Sequence, residues 1–208
     1  MKAIRLIALA ACMAATLDAS AQEQEIRLFS HRGGRMEHDE NTLSAFQASY
    51  DAGYRGFETD IRMTRDGALV ITHDSSLERT TNGTGTVEEK TEAEIRRLRT
   101  KQGNKVLFLD ELLEFLEGKE GLYVEFEMKT KPEALYPEER LHAYCDKLYD
   151  AVMAVKPADA TFVFTSGDYR GLRYLQAKHP GVDLLLITSK PCNDETIDLC
   201  KAMGIKRM

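Results

Sequence analysis

Leu122-Tyr123-Val124-Glu125-Phe126-Glu127-Met128-Lys129 is the stretch on which the fold turns. Read as a strand, its side chains alternate between two faces. Leu122, Val124, Phe126 and Met128 make one face apolar; Tyr123, Glu125, Glu127 and Lys129 make the other polar and ionisable. On an antiparallel sheet the polar face simply meets water, and taken alone the stretch fits that reading equally well. In a closed barrel the apolar face packs under helices and the polar face points into the lumen. A second stretch favours the barrel. In Phe57-Glu58-Thr59-Asp60-Ile61, Glu58 and Asp60 share a face two residues apart, a spacing at which both can converge on one cation. Burying two carboxylates together without a cation is costly, and one would take up a proton instead. Glu58, Asp60 and Glu127 offer hard oxygen donors, which suit Ca²⁺, Mg²⁺ or Mn²⁺ better than Zn²⁺. His31 ends the first apolar run and His73 the third. Strand ends are where barrel active-site groups sit.

Around these stretches the chain alternates strand and helix patterns. Further strand-like runs are Ile26–Ser30, Leu69–His73, Thr161–Thr165 and Asp183–Thr188. Between most of them lie apolar residues at helical spacing: Leu43, Phe46 and Tyr50; Leu109, Leu112, Leu113 and Leu116; and a longer series from Leu141 to Val155 behind Pro137. Thr91-Glu92-Ala93-Glu94 is a capping box, and Asn193 or Asp194 caps a last helix. Such repetition implies a parallel sheet covered by helices. After the first strand, His31-Arg32-Gly33-Gly34 is not a dinucleotide-binding loop. The expected fold is therefore α/β, a TIM-type (β/α) barrel. Six strands are counted, with a seventh beginning in Gly204–Met208. An eight-stranded barrel takes about 250 residues, so the barrel is expected to be C-terminally incomplete, with six to seven of eight strands.

The chain has 208 residues, 30% of them charged, and a net charge of −6, which disfavours a generic nucleic-acid-binding surface. Lys2 and Arg5, the apolar run Leu6 to Leu17, and Ala19-Ser20-Ala21 read as a secretory signal over residues 1–21, cleaved near Ala21. Residues 22–208 would then form one barrel domain in a secreted or periplasmic protein. Leu9-Ala10-Ala11-Cys12 also resembles a lipoprotein box, a minor alternative. No segment is long enough for stable membrane insertion. Past residue 21, Cys145, Cys192 and Cys200 remain: an exported protein could pair two of them, although thiols without chemistry are the simpler reading.

The order of motifs resembles the glycerophosphodiester phosphodiesterase family. The residues that carry the resemblance are His31-Arg32-Gly33, Glu40-Asn41-Thr42, Glu58-Thr59-Asp60, Thr64-Arg65-Asp66-Gly67, His73-Asp74, Arg79-Thr80-Thr81, Leu109-Asp110-Glu111 and Glu127-Met128-Lys129. They span roughly half the chain. The resemblance implies a TIM-type barrel with an insertion at about Ser75–Lys105. It implies one divalent cation, Ca²⁺ or Mg²⁺, on Glu58, Asp60 and Glu127, and His31 and His73 as the acid–base pair. Arg32 and Lys129 would face the phosphate. Asn41 matches too, but reads first as a cap for the first helix. Asp74 is expected to orient a loop or cap a turn, and Glu125 to support Glu127.

The implied activity is metal-dependent hydrolysis of a small glycerophosphodiester to an alcohol and glycerol 3-phosphate. The nucleophile is either water or a neighbouring glycerol hydroxyl. Two competing readings are a phospholipase-like enzyme on intact lipids and a non-catalytic fragment or degenerate form.

Overall fold

The computed structural model describes residues 28–208. The expected signal segment, its cleavage point and Cys12 lie outside the described residues. Six strands form one sheet: β1 (Phe29–His31), β2 (Gly56–Met63), β3 (Leu69–Ile71), β4 (Tyr123–Met128), β5 (Thr161–Ser166) and β6 (Leu184–Leu186). The helices are α1 (Leu43–Asp51), α2 (Glu92–Arg96), α3 (Leu109–Leu116), α4 (Glu138–Val155), α5 (Tyr169–Lys178) and α6 (Asp194–Ala202).

Strands β1, β2, β4, β5 and β6 are hydrogen-bonded in that order and all parallel. A doubly wound sheet reverses its strand order at a switch point. This one advances in a single direction, each parallel strand beside the next, as the wall of a TIM-type barrel does. Beyond β6, Arg207 bridges to Leu185 in parallel, so the expected further strand begins where the sequence placed it.

The third run departs from the expectation. β3 is antiparallel to β2 and lies off the parallel path. Only residues 64–68 separate it from β2, whereas a parallel crossover takes about a dozen or more. The parallel wall therefore counts five strands plus the start at Arg207. His73 sits two residues past a hairpin strand rather than at the end of a barrel strand.

Alternation explains the two-sided burial. Every residue of β2 is buried: Phe57 and Ile61 join the main core under the helices, while Glu58, Asp60 and Arg62 occupy the other face. The apolar half of β4 packs with them, and Phe126 meets Phe162 and Phe164 of β5 edge-on or tilted. Gly56 lets β1 and β2 approach, since a Cβ there would lie 2.4 Å from the Leu28 carbonyl oxygen. Leu77, Val87 and Ile95 of the insertion form a second small core with Val70 of β3 and with Val106 and Phe108, which lead into α3. The Thr91–Glu94 capping box starts α2 as predicted, and Asn193 caps α6. Cys145, Cys192 and Cys200 are free thiols.

Candidate active site

Register decides what meets at the rim. His31 is paired with Glu58, Glu58 with Glu125, and Asp60 with Glu127. Asp60 and Glu127 thus stand at one height on neighbouring strands, with Glu58 one step back on the same face. One carboxylate oxygen from each of Glu58, Asp60 and Glu127 lies within 4.8 Å of the other two. Burial pushes the Glu58 carboxyl up to about 9, and the charges of Asp60 and Glu127 add to that rise. Glu127 is also raised, first by burial, while a 2.7 Å hydrogen bond from Lys129 Nζ works the other way.

Two oxygens of the cluster, Glu58 Oε1 and Asp60 Oδ1, are buried without a hydrogen-bond donor. A buried acceptor left this way costs about 1–3 kcal/mol, more when charged. Converging carboxylate oxygens with open valences match the preference of Ca²⁺ or Mg²⁺ for oxygen donors. The residues present therefore fit a divalent cation.

Arg32 holds this cluster from one side. Its backbone is left-handed, with φ 54°, and its N–H donates to Glu58 Oε2 at 3.1 Å. Such a conformation costs a non-glycine residue about 1–3 kcal/mol and persists only where its surroundings enforce it. Here Gly33 follows tightly against α1: a Cβ at Gly33 would lie 3.0 Å from that of Ala45. The buried Arg32 guanidinium donates to Glu40 Oε1 at 3.2 Å and pairs with Asp60 Oδ2 at 3.2 Å. Lys129 Nζ lies 3.6 Å from Asp60 Oδ1. Both cations expected at the phosphate thus stand against the acidic cluster.

Asn41 does not cap the first helix. Thr42 does, its side chain accepting the Ala45 N–H. Asn41, also left-handed at φ 57°, donates from Nδ2 to Asp60 Oδ2 at 2.9 Å. It aims the central acid of the cluster. Glu125 opposes Glu58 in register but stays outside the cluster. Burial raises its pKa, against a hydrogen bond from Tyr123 and the charge of Arg207.

The two imidazoles are held differently. His31 is half-exposed, with Nε2 3.5 Å from Glu58 Oε2. Its pKa is lowered, first by burial and then by Arg32 and Arg35; His73 also contributes through its charge. The His73 ring is 2.6 Å, at Nδ1, from Asp74 Oδ1. The Arg79 guanidinium pulls Asp74 down to about 2. An ionised Asp74 can only accept, so His73 Nδ1 is the donor in this bond. Arg79 in turn forks onto Glu40 at 2.8 and 2.9 Å, and its hydrogen bonds hold the Glu40 pKa low. His73, Asp74, Arg79, Glu40 and Arg32 form one continuous chain around the rim. The sequence reading quoted these residues as motif matches; only the structure shows that they touch. A cavity of about 540 Å³ opens beside them, lined among others by His73, Glu127, Lys129, Lys131 and Ser166.

A strand rim that gathers acids, cations and two imidazoles beside a cavity has the make-up of a TIM-type barrel active site. A sequence profile of the Glycerophosphoryl diester phosphodiesterase family matches residues 31–206, and the chain belongs to that family. A glycerophosphodiester phosphodiesterase of Caldanaerobacter subterraneus subsp. tengcongensis is 37% identical over 123 residues, 55% of this chain and 50% of the relative. One from Bacillus altitudinis is 32% identical over 111 residues, 50% of this chain and 45% of the relative. The chain thus spans about half the length of these curated relatives. Among solved structures, a phosphodiesterase of Oleispira antarctica in complex with the product sn-glycerol-3-phosphate superposes with a TM-score of 0.75 at 23% identity, covering 86% of this chain and 72% of its own. A glycerophosphoryl diester phosphodiesterase of Parabacteroides distasonis gives 0.66 at 28% identity, covering 88% and 61%.

Proposed function

We propose that this chain hydrolyses small glycerophosphodiesters to an alcohol and glycerol 3-phosphate. The observation that carries the reading is the convergence of Glu58, Asp60 and Glu127 within 4.8 Å, with His31 Nε2 3.5 Å from Glu58 and His73 lining the cavity together with Glu127. Glu58, Asp60 and Glu127 would hold one divalent cation, Ca²⁺ or Mg²⁺. Such an ion, when bound, offsets the charge of a phosphodiester oxygen and eases nucleophilic approach.

The chain's own residues do the rest. Arg32 and Lys129 bring positive charge to the rim, the first as a planar fork and the second as a point charge. Asn41 fixes Asp60, and Asp74 fixes the ring of His73. One imidazole accepts a proton from water as the water oxygen bonds to phosphorus. The other donates a proton to the head-group oxygen as the phosphorus–oxygen bond breaks. The products are glycerol 3-phosphate and the free alcohol, so atoms and protons balance. Imidazole titrates near neutral pH and can serve either role. The product recorded with the Oleispira antarctica phosphodiesterase is the glycerol 3-phosphate this reaction would release.

The test is incubation of the purified protein with glycerophosphocholine, with and without chelator, followed by assay of glycerol 3-phosphate. Release that stops on chelation and returns with Mg²⁺ or Ca²⁺ supports the proposal. Equal release in both arms removes the cation, and no release with any metal removes the activity. Export is a separate part of the proposal, resting on the basic head, apolar run and Ala19-Ser20-Ala21 of residues 1–21; the mature N-terminus, sequenced from the native source, checks it.

A further inference from the structure

Arg62 shares the polar face of β2 with Glu58 and Asp60 and borders the cavity. It is buried, and its Nε and Nη1 are both held by neighbouring segments. Nε donates to the His73 carbonyl at 3.0 Å, and Nη1 to Glu88 at 2.8 Å, the Lys129 carbonyl at 3.2 Å and the Lys131 carbonyl at 3.4 Å. These acceptors come from three segments: the return of the β3 hairpin, the exit of β4, and the insertion. Glu88 is equally buried. It also accepts from Ser75 Oγ at 2.8 Å and Tyr136 OH at 3.1 Å, and that same Tyr136 oxygen accepts the Met63 N–H at 3.0 Å.

We propose that Arg62, held by Glu88, is a positioning residue that sets His73 and Lys129 relative to the acids on its own strand. The inference rests on the role of His73 given above. Two observations favour positioning over a purely structural ion pair. The carbonyls that converge on Arg62 are those of His73 and Lys129 themselves and of Lys131, two residues further on. The β2–β3 ladder and the 2.9 Å bond from the Thr72 N–H to the Asp60 carbonyl fix the hairpin as far as Thr72, and Arg62 Nε holds the next carbonyl, that of His73, where the ladder has ended. A planar guanidinium can span acceptors on several segments at once; a lysine ammonium at the same place cannot. The insertion thereby becomes part of the site, because it contributes the carboxylate that neutralises Arg62.

The test is a mutant cycle on the full chain: Arg62→Lys and Glu88→Gln, each in the wild-type and His73→Ala backgrounds, with turnover and thermal melting measured. Misplacing a reacting group by about 1 Å costs on the order of 10² in rate. Arg62→Lys is therefore expected to lower turnover about 10- to 100-fold in the wild type and by a clearly smaller factor where His73 is already gone, the remainder being the part carried through Lys129. Glu88→Gln keeps the size of the side chain and is expected to show the same pattern more weakly; it carries the test should Arg62→Lys fail to fold. Losses that multiply fully in both backgrounds overturn the positioning role and leave a structural one. Wild-type turnover in both variants also overturns it. A fully active His73→Ala, by contrast, defeats the acid–base reading itself, so the two failures are told apart.

Discussion

Replacing Glu58 by Gln should make the protein more stable and destroy its response to cations. Two unit charges 4.8 Å apart interact by about 3–4 kcal/mol at an effective dielectric near 20. Full ionisation of Glu58 faces Asp60 and Glu127 together, with burial added, and its pKa rises to about 9. In the unfolded chain the same carboxyl titrates near 4.5. Between these values the folded protein binds a proton that the unfolded chain has released. Stability from this group is therefore complete below the unfolded value and drains away as pH rises toward 9. Near pH 8, at 1.36 kcal/mol per unit and with relaxation allowed for, the loss is on the order of 2–4 kcal/mol. Gln mimics the protonated acid at every pH. Its amide nitrogen can stand where Glu58 Oε1 is orphaned and donate to a neighbouring carboxylate, while its oxygen keeps the Arg32 N–H. Without added cation, near pH 8, the variant should melt about 4–16 °C above the parent, and near pH 5 the two should converge. Cation at about 100 times its dissociation constant should stabilise the parent by ~2.7 kcal/mol, more strongly at high pH, and leave the variant unmoved. The assay is thermal melting by circular dichroism at both pH values, with chelator or with Mg²⁺. A parent whose melting ignores pH, or a variant that still rises with Mg²⁺, refutes the reasoning.

Other consequences are simpler to measure. His31→Ala and His73→Ala should each lower turnover by about 10² or more, the usual scale for an acid or base; wild-type rates in either would release that residue from its role. Asn41→Gly keeps the left-handed backbone and deletes the 2.9 Å bond to Asp60 together with the weak 3.4 Å bond accepted from Thr59 Oγ1. It should cost about 1–3 kcal/mol and weaken cation affinity about 10- to 100-fold. Unchanged affinity by calorimetry would show that Asp60 needs no aiming.

The acids were legible because strand alternation is a local rule. Glu58 and Asp60 lie two positions apart, and Glu127 alternates with Phe126 and Met128, so each could be given a face before any contact was known. The height at which β2 and β4 pair was not legible, and it is this register that puts Asp60 beside Glu127. The direction of β3 was readable and missed: the short link after Met63 allows a hairpin and forbids a crossover. Asn41 was misjudged because two adjacent residues could cap α1, and the choice depends on a left-handed φ that sequence does not display. Arg62 carries no mark in the sequence that sets it apart. Its partner Glu88 lies 26 positions away across the insertion, and no local pattern joins them.

The compensating charges explain why arginine recurs around the rim. Clustering three acids creates a repulsion that a single point charge such as Lys129 can only partly offset. Arg32, Arg62 and Arg79 each engage an acid, Glu40, Glu88 or Asp74, and each reaches a second segment at the same time. A guanidinium does this with fixed donors in one plane, so the charge that steadies the acids also fixes distances between loops. Lysine at any of these places would keep the charge and lose the spacing. The rim therefore links charge balance and geometry in the same bonds: loosening one arginine shifts both the electrostatics of the acids and the place of an imidazole. Lys129 is the exception. Held by Glu127 on a flexible stem, it is the cation that can leave an acid for an incoming phosphate without dragging the backbone with it.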